Sequence, residues 1–429
     1  MSKKFIFTLI FIILCAIIFS GYWHEEDIDD LAYVVALGFD IGESKELKMT
    51  FQISIPSATN STLSVIFLPD ALLAAFPVSL SINVPVILYF FPFFRLWYSS
   101  IYSGLNELNS LTSKDVNLSH CKFIVFSDKL AKKGIYKYIY TLENNAELRS
   151  TCNILISTCP ATEFLSYTNP IFENSTAKYY KIIANSTSYS GFTSNITLSH
   201  LYTSISDTFG ETCAILGGIK EDNITESVSS SVATSGPSSS SNSSNNSGEQ
   251  NEKKTDIVVG GLAVFKGENY VGNLTVDETL PYLIITNDLK EAVVSVPSPF
   301  DDNSFIDLHL SQNMECSHKV NIRNSVPEIT TDVDLNVTLL SNLESSNITS
   351  TKQLSDLEKA ISDYISKLIL NYYEKTSKEY KSDIAKLGKY AVHLFPTTQD
   401  WIAYDWNSKY ETSTFNVNVN VIINTSYFI

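Results

Sequence analysis

The sequence predicts an α+β protein, with mixed sheets and flanking helices in two to three serial domains after an N-terminal hydrophobic helix. Three observations predict it. Runs with apolar residues at every second position are interleaved with stripes at three- and four-residue steps, so strands and helices alternate along the chain. The chain opens on an apolar run, Phe5 to Phe19, broken only by Thr8. From Glu221 to Asp256 the composition collapses to Ser, Asn, Thr and Gly, a segment that cannot bury enough apolar surface to offset chain entropy. The 429 residues are enough for two or three domains, each with its own core.

Lys3 and Lys4 precede the apolar run, the arrangement that addresses a chain across a membrane with its positive end inside. Phe5 to Trp23 would make a helix of roughly 28 Å, close to the hydrocarbon thickness. Residues 1–23 are therefore expected to be a signal or anchor segment, with His24 onward on the outer face. The acidic stretch Glu25-Glu26-Asp27-Ile28-Asp29-Asp30 reads as a solvated neck, since carboxylates without glycine punctuation make a poor calcium loop.

An N-terminal α+β domain is expected over 24–220. Leu31–Phe39 and Leu47–Ile55, either side of Asp40-Ile41-Gly42-Glu43, read as a hairpin with one buried face. Residues 63–98 are anomalous: they are apolar except for Asp70 and Arg95, yet Pro69, Pro77, Pro85 and Pro92 interrupt them. Three readings stand, namely a Pro-broken hairpin dipping into a bilayer, a buried core insertion, and an out-of-frame patch, the one we favour. Ile101, Leu105 and Leu108 then line a helix. A β-α-β unit follows: strand Lys122–Phe126, a helix carrying Leu130, Ile135, Ile139 and Leu142, and strand Cys152–Ile156. Further helices are expected at Ala161–Tyr167, around Tyr179–Ile183, and at Ile196–Ser206.

After the expected disordered linker at 221–256 comes a C-terminal α+β region, 257–429. Ile257–Phe265 and Tyr270–Leu274 make a hairpin, and Ala292–Val296 a further strand, within 257–300. In 325–429, Ile329–Leu340 alternates as a strand. Leu354, Leu357, Ile361, Ile365, Leu368 and Tyr372 form the stripe of a long helix reaching Tyr380. Phe415, Val417, Val419, Val421 and Ile423 alternate with Asn416, Asn418 and Asn420 in a final strand.

The formal net charge of −16 excludes an electrostatic footprint for nucleic acid and argues against peripheral docking on anionic lipid. Six cysteines occur, none in Cys-x-x-Cys spacing. Cys121, Cys152, Cys159, Cys213 and Cys316 read as core thiols. Sequons such as Asn60, Asn174 and Asn336 fit a secreted glycoprotein, or chance in a chain rich in Asn and Ser. No His-Glu-x-x-His, Gly-x-Ser-x-Gly or phosphate-cradling loop is present. His24, His120, His200, His309, His318 and His393 are scattered; His309 and His318 flank Cys316 without further ligands, and Asp301-Asp302 reads as solvated. No catalytic, cofactor-binding or metal-binding residues are assigned.

Several blocks carry a resemblance. They are Gly21-Tyr22-Trp23, Asp27-Ile28-Asp29-Asp30-Leu31, Ala36-Leu37-Gly38-Phe39-Asp40 and Ser127–Ile135, then Ala177-Lys178-Tyr179-Tyr180, Gly261–Lys266 with Val271-Gly272, Tyr380–Ile384, and Val417-Asn418-Val419. Together they resemble the Ger(x)C family, the C subunit of bacterial spore nutrient-germinant receptors. The resemblance implies a non-enzymatic membrane lipoprotein of three serial α+β domains. It also implies work with two integral-membrane partners, the A and B subunits, on the extracytoplasmic face of the spore inner membrane. Where that family carries its lipidated Cys, this chain has Tyr22, so an uncleaved, lipid-free N-terminal helix is the expected anchor. The missing Cys and the 63–98 stretch together would also suit an inactive copy. The rival reading is a secreted or surface-anchored hydrolase or carbohydrate-active protein.

Overall fold

The structure is a computed structural model that describes residues 31–42, 46–54, 65–66, 92–98, 100–112, 114–168, 176–185, 190–219, 257–300, 304–311, 316–340 and 351–424. The expected N-terminal anchor with Tyr22, most of the 63–98 stretch, the expected 221–256 linker and Asp301-Asp302 lie outside them.

Two sheets and their helices make up the fold, as the α+β expectation requires. The first sheet has ten strands. Its centre is four parallel strands, β1 (Leu31–Ile41), β6 (Phe123–Ser127), β7 (Asn153–Ser157) and β8 (Cys213–Ile219), in the order 8-7-6-1. β2 (Leu47–Ser54) pairs antiparallel with β1, and β4 (Pro92–Tyr98) with β2; the short β3 (Val65–Ile66) lies beyond β4, and β5 (Asp115–Asn117) pairs with the start of β1. Pro92–Tyr98, inside the anomalous stretch, is thus a regular ladder strand. Pro92 is its first residue, a position that tolerates a missing amide.

Strands β6, β7 and β8 are buried along their whole length, as parallel strands covered on both faces must be. Their alternation divides the core between the two faces. Phe123, Val125, Leu155 and Ile215 point into one cluster, and Ile124, Phe126, Ile154 and Leu216 into the other. The second cluster is roofed by α1 (Ile101–Leu111), α2 (Asp128–Lys132), α3 (Tyr136–Glu143) and α6 (Leu198–Ile205); the first receives α4 (Ala161–Tyr167) and α5 (Thr176–Asn185).

The single helix expected after β6 is two, α2 and α3. Gly134 turns left-handed between them (φ +102°), and the Ile135 amide leaves the helical ladder to bond the Glu268 carbonyl at 3.1 Å.

β9 (Ile257–Lys266) and β10 (Asn269–Leu274) form the expected hairpin, but β9 also pairs antiparallel with β8. This hairpin, expected with the C-terminal region, therefore completes the first sheet. α7 (Val276–Thr286) follows, opened by a capping box in which Thr275 and Glu278 satisfy each other's amides.

The second sheet has five strands, β11 (Glu291–Pro297), β12 (Phe305–Ser311), β13 (Ser317–Arg323), β14 (Val326–Leu339) and β15 (Thr414–Ile423). The long β14 is its spine: β12 and β13 share one edge, and β15 runs parallel along the other. Alternate residues of β14 are buried, against α8 (Thr351–Glu374), whose stripe includes Leu357, Ile361, Ile365 and Ile369. α8 ends in a π-helical turn, Lys375–Tyr380. Two 3-10 turns (Leu387–Tyr390 and Val392–Leu394), then α9 (Thr398–Tyr404) and α10 (Trp406–Tyr410), lead into β15. α7 packs on β9, β14 and α8, so one core runs from a face of the first sheet into the second.

Candidate functional site

The blocks that carry the resemblance converge on contacts between distant parts of the chain. At the end of β1, the buried Asp40 carboxylate accepts the Ala161 amide (2.8 Å), the Thr162 amide (3.1 Å) and the Thr162 hydroxyl (2.9 Å), capping α4 from another element. Gly38, two residues earlier, lets that helix lie against the strand: a Cβ there would stand 2.9 Å from Leu165 Cδ1. Tyr180, in α5, donates to Gln52 Oε1 of β2 at 2.8 Å.

The densest convergence is the seam where the segment after α8 crosses the first sheet. Tyr380 donates to the Asn273 carbonyl of β10 (2.8 Å), and Ser382 to the Phe265 carbonyl of β9. Lys381 and Lys386 take left-handed backbone (φ 52° and 55°), turning the chain on either side of Asp383. The Glu211 amide, just before β8, donates to the Asp383 carbonyl at 2.8 Å. Lys386 pairs with Asp207 (3.0 Å), Lys375 with Glu278 (2.8 Å), and the Trp401 indole donates to Thr208 (3.1 Å).

Three glycines permit the approach. A Cβ on Gly272 would sit 2.4 Å from the Tyr380 ring, one on Gly210 2.6 Å from the Asp383 carbonyl, and one on Gly388 2.3 Å from the Phe209 carbonyl.

At the middle of the seam Asp383 is 1% exposed. Its Oδ2 accepts the Trp406 indole (2.9 Å) and the Gly388 amide (3.2 Å), while Oδ1 has no partner. Burial pushes this carboxyl up to about 7, against the pull of those two donors and the Leu387 amide. Glu211 is raised too, by burial, although its side chain accepts the Gly267 amide (2.6 Å). Trp401, Trp406, Tyr410, Phe395 and Phe415 pack as a continuous aromatic cluster behind it.

The residues weighed as ligands do not assemble. Cys316 Sγ lies 3.6 Å from His318 Nε2, but that nitrogen is also 2.9 Å from the Ile285 carbonyl, and Nδ1 is 3.1 Å from the Thr331 hydroxyl. His309 instead faces Glu291 across β11 and β12. Among the described residues no group of three or more His, Cys, Asp or Glu side chains is placed to hold a metal. Cys121, Cys152, Cys159, Cys213 and Cys316 are buried and in no disulfide, as expected of core thiols. A concavity of about 560 Å³ at the carboxyl ends of β1 and β6 is rimmed by Lys132, Lys133 and Lys137. Lys132 pairs with Asp128 and Lys137 with Glu46, so two of these three charges are compensated.

By its fold the chain falls in a class with a solved structure described as "Crystal Structure of the GerBC protein". The two match with a TM-score of 0.50 at 14% identity, over 92% of this chain and 99% of that one. Residues 98–221 match the family described as "Spore germination protein N-terminal domain", and residues 260–427 the family "Spore germination B3/ GerAC like, C-terminal". A "Putative spore germination protein YfkR" of Bacillus subtilis (strain 168) is 20% identical over 424 residues, 97% of this chain and 95% of that protein. The chain belongs to the Ger(x)C family of spore germination proteins, the germinant-receptor subunits.

Proposed function

We propose that the chain is a membrane-tethered, non-enzymatic subunit of a spore germinant receptor. It supports nutrient-triggered germination through contacts with two integral-membrane partners, the A and B subunits. One observation carries the reading: the residues of the resemblance blocks are spent on caps and close approaches. Asp40 caps α4, Gly38 and Gly272 admit α4 and Tyr380, and Ser382 and Asp383 join the seam. Such investment suits a rigid body that presents surface to partners rather than a cleft that turns over substrate. The apolar segment 5–23 supplies the tether, placing the sheets on the extracytoplasmic face of the spore inner membrane, and Tyr22 leaves that tether without a lipid.

Affinity capture of the full chain from detergent-solubilised spore membranes tests the proposal. Two multi-pass subunits are expected to co-purify in comparable amounts. Recovery of the chain alone, from the soluble fraction, would overturn it.

A further inference from the structure

We propose that the seam is a proton-sensitive clasp: Asp383, closed in between the Trp406 indole and the Gly388 amide with Glu211 beside it, seats the C-terminal segment on the first sheet while neutral and releases it when ionised. This goes beyond the receptor-subunit reading and does not depend on it.

The geometry supplies the reason. A buried carboxylate is tolerated when donors satisfy both of its oxygens or a cation stands beside it. Here the hydrogen bonds from Trp406 and Gly388 both reach Oδ2, the Leu387 amide adds a weaker pull, and Oδ1 accepts no hydrogen bond. The ionisable groups around it offer no compensation. α8 presents the phenols of Tyr372 and Tyr373, α10 that of Tyr410, and the strand-β8 approach presents Glu211. Lys386, on the same turn, is engaged by Asp207 at 3.0 Å. Charging Asp383 therefore puts an uncompensated anion beneath the turn that carries the Ser382–Phe265 and Tyr380–Asn273 bonds.

The sign follows from linkage. The carboxyl is raised from 3.8 to about 7, so between those values the closed seam holds a proton that the open chain does not. Closure is favoured most at low pH, weakens as pH rises from about 4 to about 7, and is level above. Glu211, raised by burial, acts in the same direction. Between the slightly acid and slightly alkaline range the clasp passes from seated to loosened, with both sheets intact.

Native-state hydrogen exchange on the full chain tests this. The readouts are the amides of Glu211, Lys386 and Gly388, corrected for intrinsic exchange, with β6 and β7 amides as the reference. Relative to those strands, seam protection is expected to fall by at least about tenfold between pH 5 and pH 8, and Asp383→Asn to remove most of the fall. Two further variants keep the test decisive if that one folds poorly. Trp406→Phe removes a donor that favours the anion and is expected to move the midpoint up, while Glu211→Gln removes a neighbouring negative charge and is expected to move it down. Seam protection that tracks β6 and β7 at every pH, or midpoints unmoved by both variants, would overturn the clasp.

Discussion

Asp40 ends a strand and caps a helix 121 positions further along the chain. Two amides and one hydroxyl donate to its carboxylate; without it both amides are left buried and unpaired, while the Thr162 hydroxyl keeps that of Thr50 at 2.9 Å. Asp40→Ala is therefore expected to cost about 2 kcal/mol or more, and Asp40→Asn less, as read from denaturant midpoints. His318 is governed by the same accounting of donors and acceptors. The Ile285 carbonyl can only accept, so Nε2 carries the proton; Nδ1 accepts from Thr331, whose oxygen is 2.7 Å from the Tyr373 hydroxyl. That chain closes only with a neutral ring, and burial holds the imidazole below its ordinary value. Its contribution to stability is thus complete above the unfolded value of 6.5 and is lost as pH falls through the lower folded value. His318→Gln, which keeps a donor for Ile285 and cannot titrate there, is expected to flatten the acid limb of the stability curve. An acid limb as steep as that of the wild type would contradict the assignment.

Elements with a clean period were legible in the sequence, and those whose pattern depends on remote partners were not. β14 and β15 alternate and α8 carries an unbroken stripe, because each packs one face only. α7 is hidden because it is buried from Thr279 through Ile285, so no stripe stands out, and Pro281 sits inside it. The break between α2 and α3 depends on Glu268, far along the chain. β12 and β13 are only seven residues each, and the buried members of β13 include His318, so its apolar pattern is short and broken. The seam shows the same limit: the block Tyr380–Ile384 stood out, yet its meaning lies in Glu211, Phe265 and Asn273, which no local pattern links to it. β8 and β9 are antiparallel neighbours whose facing ends are Ile219 and Ile257. Replacing residues 220–256 by a four-residue Gly-containing turn is therefore expected to leave the fold intact, with circular dichroism and the melting temperature essentially unchanged. Loss of cooperative unfolding would show that β8 and β9 do not form a hairpin-like pair.

The two sheets are joined by one apolar core through α7, and the polar seam around Asp383 ties the C-terminal segment to the first sheet. Such a jointed body fits the proposed receptor subunit, whose work would be done through neighbours. Acidity serves the same end, since −16 overall keeps the body off anionic headgroups and leaves the first two dozen residues as the expected membrane contact. The most direct measurement is nutrient-triggered germination, followed by the fall in optical density of purified spores. The strain should lack its other receptor sets and be compared with and without this gene. The receptor-subunit account predicts that deletion abolishes the nutrient response and that the full chain, expressed in trans, restores it. A deletion strain that germinates on nutrient at the parental rate would contradict the account.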